Sequence, residues 1–211
     1  MRRREGNAIA AMQNVNTFLV ENAAQIGDAI NDQTKQMLAD SLTQLFATAT
    51  AQDSHTRSAA GALNRQRVKR LQLVRDHLRP IAGIAAFALP ATPELVAFRI
   101  PRRRPTLQQL AALADGMAQA AAPYADVFIA AGRKREFIAR LEACADDMRS
   151  ASAERAMHRQ RVKEATTDLY TQLSRSRKVV LMIDAFLQSA LADRPGLLDA
   201  WNMAKRVPNT A

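Results

Sequence analysis

Apolar residues recur three and four positions apart over long stretches of this chain. Between Arg133 and Arg194, where there is no Gly or Pro, a stripe runs through Phe137, Leu141, Cys144, Met148, Ala151, Val162, Ala165, Leu169, Leu173, Val180, Ile183, Leu187 and Ala190. That spacing predicts an amphipathic helix of coiled-coil type. Arg155 and His158 fall where the stripe calls for apolar residues, so the pattern fits one long helix or two helices with a turn near Arg149 to Ser152. The N-terminal half reads similarly, with Leu38, Leu42, Leu45 and Ala49 before a polar patch at Gln52 to Ser58, and Leu63, Leu71, Val74 and Leu78 after it. Pro80 is expected to end or kink that helix, because it lacks an N–H and crowds the preceding turn.

Residues 90–105 carry four prolines, and Val96, Phe98 and Ile100 alternate with Ala97 and Arg99. This predicts an extended crossover, since proline runs forbid a regular helix and alternation is the strand period. Thr106 followed by Gln109 has capping-box spacing and opens the next helix. Pro195 suits the first turn of a short C-terminal helix, 195–207, that carries Leu197, Leu198 and Trp201.

Self-similarity points to a diverged internal duplication. Arg65-Gln66-Arg67-Val68-Lys69 recurs as Arg159-Gln160-Arg161-Val162-Lys163, inside a wider match of Ser58 to Lys69 with Ser152 to Lys163. The expected fold is therefore all-α: an elongated bundle of long amphipathic helices forming a single domain. Two similar halves, 1–89 and 106–192, are joined by the Pro-rich crossover.

Composition agrees, since roughly one residue in five is Ala and Leu, Gln, Arg and Met fill much of the rest. A chain of 211 residues can bury a proper core unaided, and its single Cys cannot form an internal disulfide. Arg2 to Arg4 imitate the front of a secretion signal, but no continuous apolar run follows. No segment approaches the ~20 apolar residues of a membrane span, because even Val179 to Leu191 carries Asp184 and Gln188. The expectation is a soluble, cytoplasmic protein with no transmembrane segment.

Most familiar chemistry is disfavoured by residue placement. The seven glycines are scattered singly, so no phosphate-cradling loop forms. The residue three after Glu142, Glu154 or Glu164 is never His, which argues against a di-iron bundle. Glu154 and His158 stand one helical turn apart but supply two ligands where a metal site wants three or four. Cys144 sits on the apolar stripe, where a small buried hydrophobe belongs. Asp146 and Asp147 point about 100° apart on a helix and do not converge. No catalytic, metal-binding or cofactor-binding residue is assigned, and no cofactor is expected.

Charge changes the picture more. The chain has 30 Lys and Arg against 20 Asp and Glu. From His55 to Pro80 there are seven bases and one acid, and Arg155 to Lys163 holds four bases and no acid. Arg65 with Lys69, and Arg159 with Lys163, each share a helix face. These four, with Arg70 and the run Arg102, Arg103 and Arg104, are the candidate nucleic-acid or anion-binding residues, able to neutralise phosphates in a salt-dependent way. The competing reading is intramolecular: residues 5–53 hold six acids and one base, so neighbouring helices of opposite charge would face one another. Trp201 is the candidate partner anchor, as an aromatic residue on a terminal helix, unless that helix closes its own bundle.

From Phe98-Arg99-Ile100-Pro101-Arg102 through Leu110-Ala111-Ala112, Pro123, Phe128, Gly132, Phe137 and Leu141, and again at Leu198, Trp201, Ala204, Arg206 and Val207, the chain resembles a family of uncharacterised bacterial all-helical proteins. The resemblance covers mainly Phe98 to Val207 and rests on packing and turn residues. It implies a shared helical fold and no activity. Arg133-Lys134 stands where relatives have Leu-Pro, and Lys163 where many have Gly, so both departures add positive charge. The functional expectation is a non-catalytic interaction or scaffolding protein that associates with itself or with a helical partner; the alternative is non-specific nucleic-acid binding through basic helix faces.

Overall fold

Residues that lose little on entering a helix dominate this chain, and helix is what they form. The computed structural model describes residues 3–89, 93–103 and 105–207, and no strand occurs among them. In order, the helices are α1 (Arg3–Glu21), α2 (Ala23–Ile26), α3 (Asp32–Gln72), α4 (Arg79–Ala88), α5 (Leu107–Ala121), α6 (Ala125–Ala130), α7 (Phe137–Ala190) and α8 (Pro195–Ala204). The two long helices, α3 and α7, pack together. No helix is long and apolar enough to cross a membrane among the described residues.

The α7 stripe does face a core, since Phe137, Leu141, Met148, Leu169, Ile183 and Leu187 are all buried. The helix runs unbroken through Arg149 to Ser152. Arg155, out of place on an apolar stripe, is accommodated because its Nη1 donates to Oε1 of buried Gln66 at 2.8 Å. His158 keeps a contact with Glu154 at 3.6 Å.

Two separate apolar clusters form, and the chain divides into two compact units accordingly. Unit 1 is drawn from Met1–Arg57 and Arg161–Ala211, and unit 2 from Ser58–Gln160. Each takes helices from both sequence halves, 1–89 and 106–192.

In unit 1, Val15 and Phe18 of α1, Leu38 and Leu45 of α3, and Leu169, Ile183 and Leu187 of α7 form one core with Trp201 of α8. Ser176 fills the stripe position between Leu173 and Val180 and is fully buried. Its hydroxyl is satisfied by that of Ser41, 2.6 Å away across the α3–α7 seam. Hydroxyls this deeply buried must find partners, and this pair also fixes the register of the seam.

In unit 2, Leu73, Leu78 and Ile81 pack with Leu110, Met117, Phe128, Phe137 and Leu141. Thr106 Oγ1 accepts from the Gln109 N–H while Gln109 Oε1 accepts from the Thr106 N–H, closing the expected capping box at the start of α5. Helix α6 ends in a Schellman motif, with the Arg133 N–H bonded to the Phe128 carbonyl and the Gly132 N–H to that of Ile129. Gly132 takes the required positive φ of 93°.

One local expectation is corrected. The crossover at 90–105 is not extended throughout: Pro93–Phe98 forms a 3-10 turn. Its burial follows a three-residue period, with Leu95 packed against the core and Phe98 buried while Val96 is left exposed. Residues 90–92 and Arg104 lie outside the described residues.

At Pro80 the helix does not end but is disturbed. In a continuous α-helix, Pro80 would leave the Asp76 carbonyl without its donor and press the ring against it. Instead the helix widens into a π turn over Leu73–Leu78, with the Arg79 N–H reaching the Val74 carbonyl. The Arg133 guanidinium donates to the Asp76 carbonyl at 3.3 Å. Arg133, placed by the Schellman turn, thus satisfies the group that Pro80 leaves without its helical donor.

Candidate functional site

The basic run on α3 separates into two faces with different fates. Arg65 and Lys69 lie one turn apart and face α7, where Arg65 pairs with Glu154 and Lys69 with Asp147. The titrations shift with the pairing: hydrogen bonding from Arg65 holds Glu154 below its ordinary range, and Asp147 raises the Lys69 ammonium. As α3 residue numbers rise, their α7 partners fall, so the pairs mark an antiparallel seam within unit 2.

Arg67, Arg70, Leu71 and Val74 occupy a different face, at helical positions i, i+3, i+4 and i+7. This face forms one wall of a cavity of about 520 Å³, whose other side is formed by Ile100 to Arg103 and by Pro105. Arg102 and Arg103 project from that segment, Arg79 enters from the start of α4, and fully buried Leu110 of α5 backs the lining. Five arginines therefore line one cavity, and no carboxylate appears in its lining among the described residues. Among the same residues, Arg67, Arg79, Arg102 and Arg103 make no ion pair. Arg70 is half-buried and anchors the far wall by donating from Nη2 to the Pro105 carbonyl at 3.0 Å.

Arg79 reaches this cavity because of the π turn. On an α-helix, position i+5 lies about 140° around from position i, so Arg79 would turn away from Val74. In a π turn, i+5 stacks over i. The same widening drives Leu78 into the core, where it is fully buried. Pro80 thus sets the direction of its neighbour's side chain.

His77, within the π turn, has a buried Nδ1 with no hydrogen-bond partner among the described residues. Desolvation, reinforced by Arg133 and Arg140 and opposed by Asp76, holds its pKa below the ordinary histidine value. The unfolded chain then binds the proton more readily, so stability is full above about pH 6.5 and falls as pH drops through the folded value. We expect the urea midpoint to drop between pH 7.5 and pH 5.5, and His77→Gln to flatten that drop. An equal pH dependence in wild type and variant would remove His77 as its source.

The remaining candidates lie elsewhere. Arg159 belongs to unit 2 and Lys163 to unit 1; both are exposed and neither lines the arginine cavity. Arg104 falls outside the described residues. Trp201 is fully buried in unit 1, 5.5 Å from the Phe18 ring, and its Nε1 donates to Asp184 at 2.7 Å. An indole enclosed this way closes its own bundle. Cys144 is buried, and desolvation raises its pKa, so the thiol stays protonated. Among the described residues, no three His, Cys, Asp or Glu side chains group as a metal site would require.

Arg67 and Arg79 are the cavity residues that the pairing of like basic faces passes over. Arg67 was findable, because with Arg70, Leu71 and Val74 it makes a face of its own. Arg79 carried no such signal without the π turn. Comparison of the chain with protein-family models, with curated proteins and with solved structures finds no match.

Proposed function

We propose that this is a non-catalytic interaction protein whose partner is a nucleic acid, held by its phosphates in the arginine cleft of unit 2. The observation that carries the reading is the convergence of Arg67, Arg70, Arg79, Arg102 and Arg103 on one cavity without a carboxylate in its described lining. Like charges gathered this closely repel one another, and an anion relieves that repulsion. A guanidinium is always protonated and presents forked donors that match phosphate oxygens. It holds charge and does not shuttle protons, which favours binding over reaction.

The reading moves the binding surface from one α3 face to another. Arg65 and Lys69 already have carboxylate partners on α7, so a phosphate would have to displace Glu154 and Asp147 to use them. Arg67, Arg102 and Arg103 are exposed and need displace nothing but water and counterions. The similarity of Ser58 to Lys69 and Ser152 to Lys163 supports the accompanying view of a helical bundle grown from two related halves.

The test is binding of nuclease-treated protein to duplex DNA and RNA across a salt series. Removing one arginine–phosphate pairing should reduce the slope of log affinity against log salt by about 0.9 on duplex DNA. The Arg67→Gln, Arg102→Gln, Arg103→Gln triple variant should therefore flatten the slope by about 1 to 3, according to how many phosphates the three arginines share, whereas Arg65→Gln with Lys69→Gln should leave it nearly unchanged. No binding at low salt, or a triple variant with the wild-type slope, would sink the proposal.

A further inference from the structure

We infer that the cleft takes a nucleoside phosphate monoester, either a free nucleotide or the phosphorylated end of a strand, with the phosphate among the guanidiniums and the nucleoside on the apolar floor. This rests on the reading of the same cleft as a phosphate site and narrows it to one kind of phosphate.

Three features favour a terminal phosphate over one within a continuous backbone. The site is a cavity of about 520 Å³, in the size range of small-molecule pockets, whereas the side of a duplex asks for an open stripe of cations. A backbone diester carries a single negative charge, but a monoester carries about −1.5 to −2 and three strong acceptor oxygens. Arg67, Arg79, Arg102 and Arg103 around one cavity match the more highly charged group.

The floor supplies the third feature. Leu71 is 67% exposed although it lines the cleft, and half-buried Val74 and Ile100 continue the apolar surface beside it. A bare phosphate would leave this surface wet. A nucleoside would cover it, and the planar guanidiniums offer stacking partners for a base.

Two features shape the walls. The Arg70 bond to the Pro105 carbonyl ties the loop that carries Arg102 and Arg103 to α3. The π turn aims Arg79 into the same space. A site held in shape beforehand loses less freedom on binding.

The experiment compares oligonucleotides of one sequence bearing a 5′-phosphate, a 3′-phosphate or neither, together with AMP, adenosine and inorganic phosphate as competitors. At least tenfold tighter binding of a phosphorylated end than of the hydroxyl-ended strand is expected. AMP should also compete at tenfold lower concentration than either adenosine or inorganic phosphate. Arg79→Gln, an exposed substitution checked for folding by circular dichroism, should abolish the preference for the phosphorylated end while leaving weaker backbone binding.

Equal binding of all three strands, with AMP no better than phosphate, overturns the monoester inference; the nucleic-acid reading survives that result if the strands still bind with a steep salt dependence. AMP binding without any strand binding supports the inference with the free nucleotide as ligand and overturns the nucleic-acid reading. If nothing binds, both fall. An Arg79→Gln protein that keeps the full preference overturns the placement of the phosphate beside the π turn.

Discussion

Trp201→Ala is expected to lower the unfolding free energy by about 3–5 kcal/mol, among the largest effects of any single substitution in this chain. The indole is fully buried among Phe18 of α1 and the facing residues of α3 and α7, so truncation opens a cavity in the middle of the unit 1 core. It also removes one of three donors to Asp184, which accepts from Trp201 at 2.7 Å, Lys205 at 2.6 Å and Gln188 at 3.2 Å. Trp201→Phe separates the two contributions, because it keeps a ring against Phe18 and loses the donor. Its cost should be smaller, about 1–3 kcal/mol, for the partner left short of a hydrogen bond and the reduced ring. Urea unfolding followed by circular dichroism gives both numbers. A Trp201→Ala cost below about 1 kcal/mol would mean that the indole is not part of a packed core.

Asp184 gives the same region a pH signature. Burial pushes its carboxyl up, but hydrogen bonds from Lys205, Trp201 and Gln188 outweigh burial and hold it below its ordinary value. The stabilisation is therefore present above about pH 4 and is lost as pH falls through the lower folded value. Trp201→Phe, with one donor fewer, should shrink that acid loss.

In unit 2 the counterpart is Phe128→Ala, with an expected loss of about 3–5 kcal/mol by the same cavity argument. The Phe128 ring is fully buried, 5.8 Å from that of Phe98 and 5.3 Å from that of Phe137. It joins the 3-10 turn, α6 and the start of α7 in one aromatic cluster, so its removal loosens all three. Phe98 stands two residues before Ile100, the first of the residues 100–103 that wall the arginine cleft. Phe128→Leu, which keeps most of the apolar volume, should cost clearly less. Equal losses for the two substitutions, measured by urea unfolding, would point to something other than cavity formation.

The two substitutions probe separate apolar clusters. The stripes of α3 and α7 are both interrupted by polar residues, at Gln52 to Ser58 and at Arg155 to His158. Read along the chain, the α7 stripe fits one long helix or two helices with a turn near Arg149 to Ser152. The structure keeps α7 continuous, because the Arg155 bond to Gln66 and the Glu154 contacts with Arg65 and His158 make polar positions tolerable along it.

What the sequence by itself determined is everything that depends on near neighbours. The long helices follow from propensity and from apolar residues three and four apart. The Thr106–Gln109 box and the first-turn Pro195 are encoded within a few residues of where they act. The buried faces of α7 could be named from Phe137 to Leu187 for the same reason.

Only the tertiary structure decided which cations are free to bind. Arg65 and Arg67 stand two residues apart in one basic run, yet Arg65 meets Glu154, 89 positions away, and Arg67 opens onto the cleft. The identity of a charge's partner is a long-range property, and local pattern does not hold it. The direction of Arg79 was hidden for a related reason: helical phase accumulates, so one π turn rotates every later side chain on the helix by about 100°. Pro80 was visible in the sequence as a disturbance of the helix, but the response to it required the Arg133 guanidinium from a different segment to satisfy the Asp76 carbonyl.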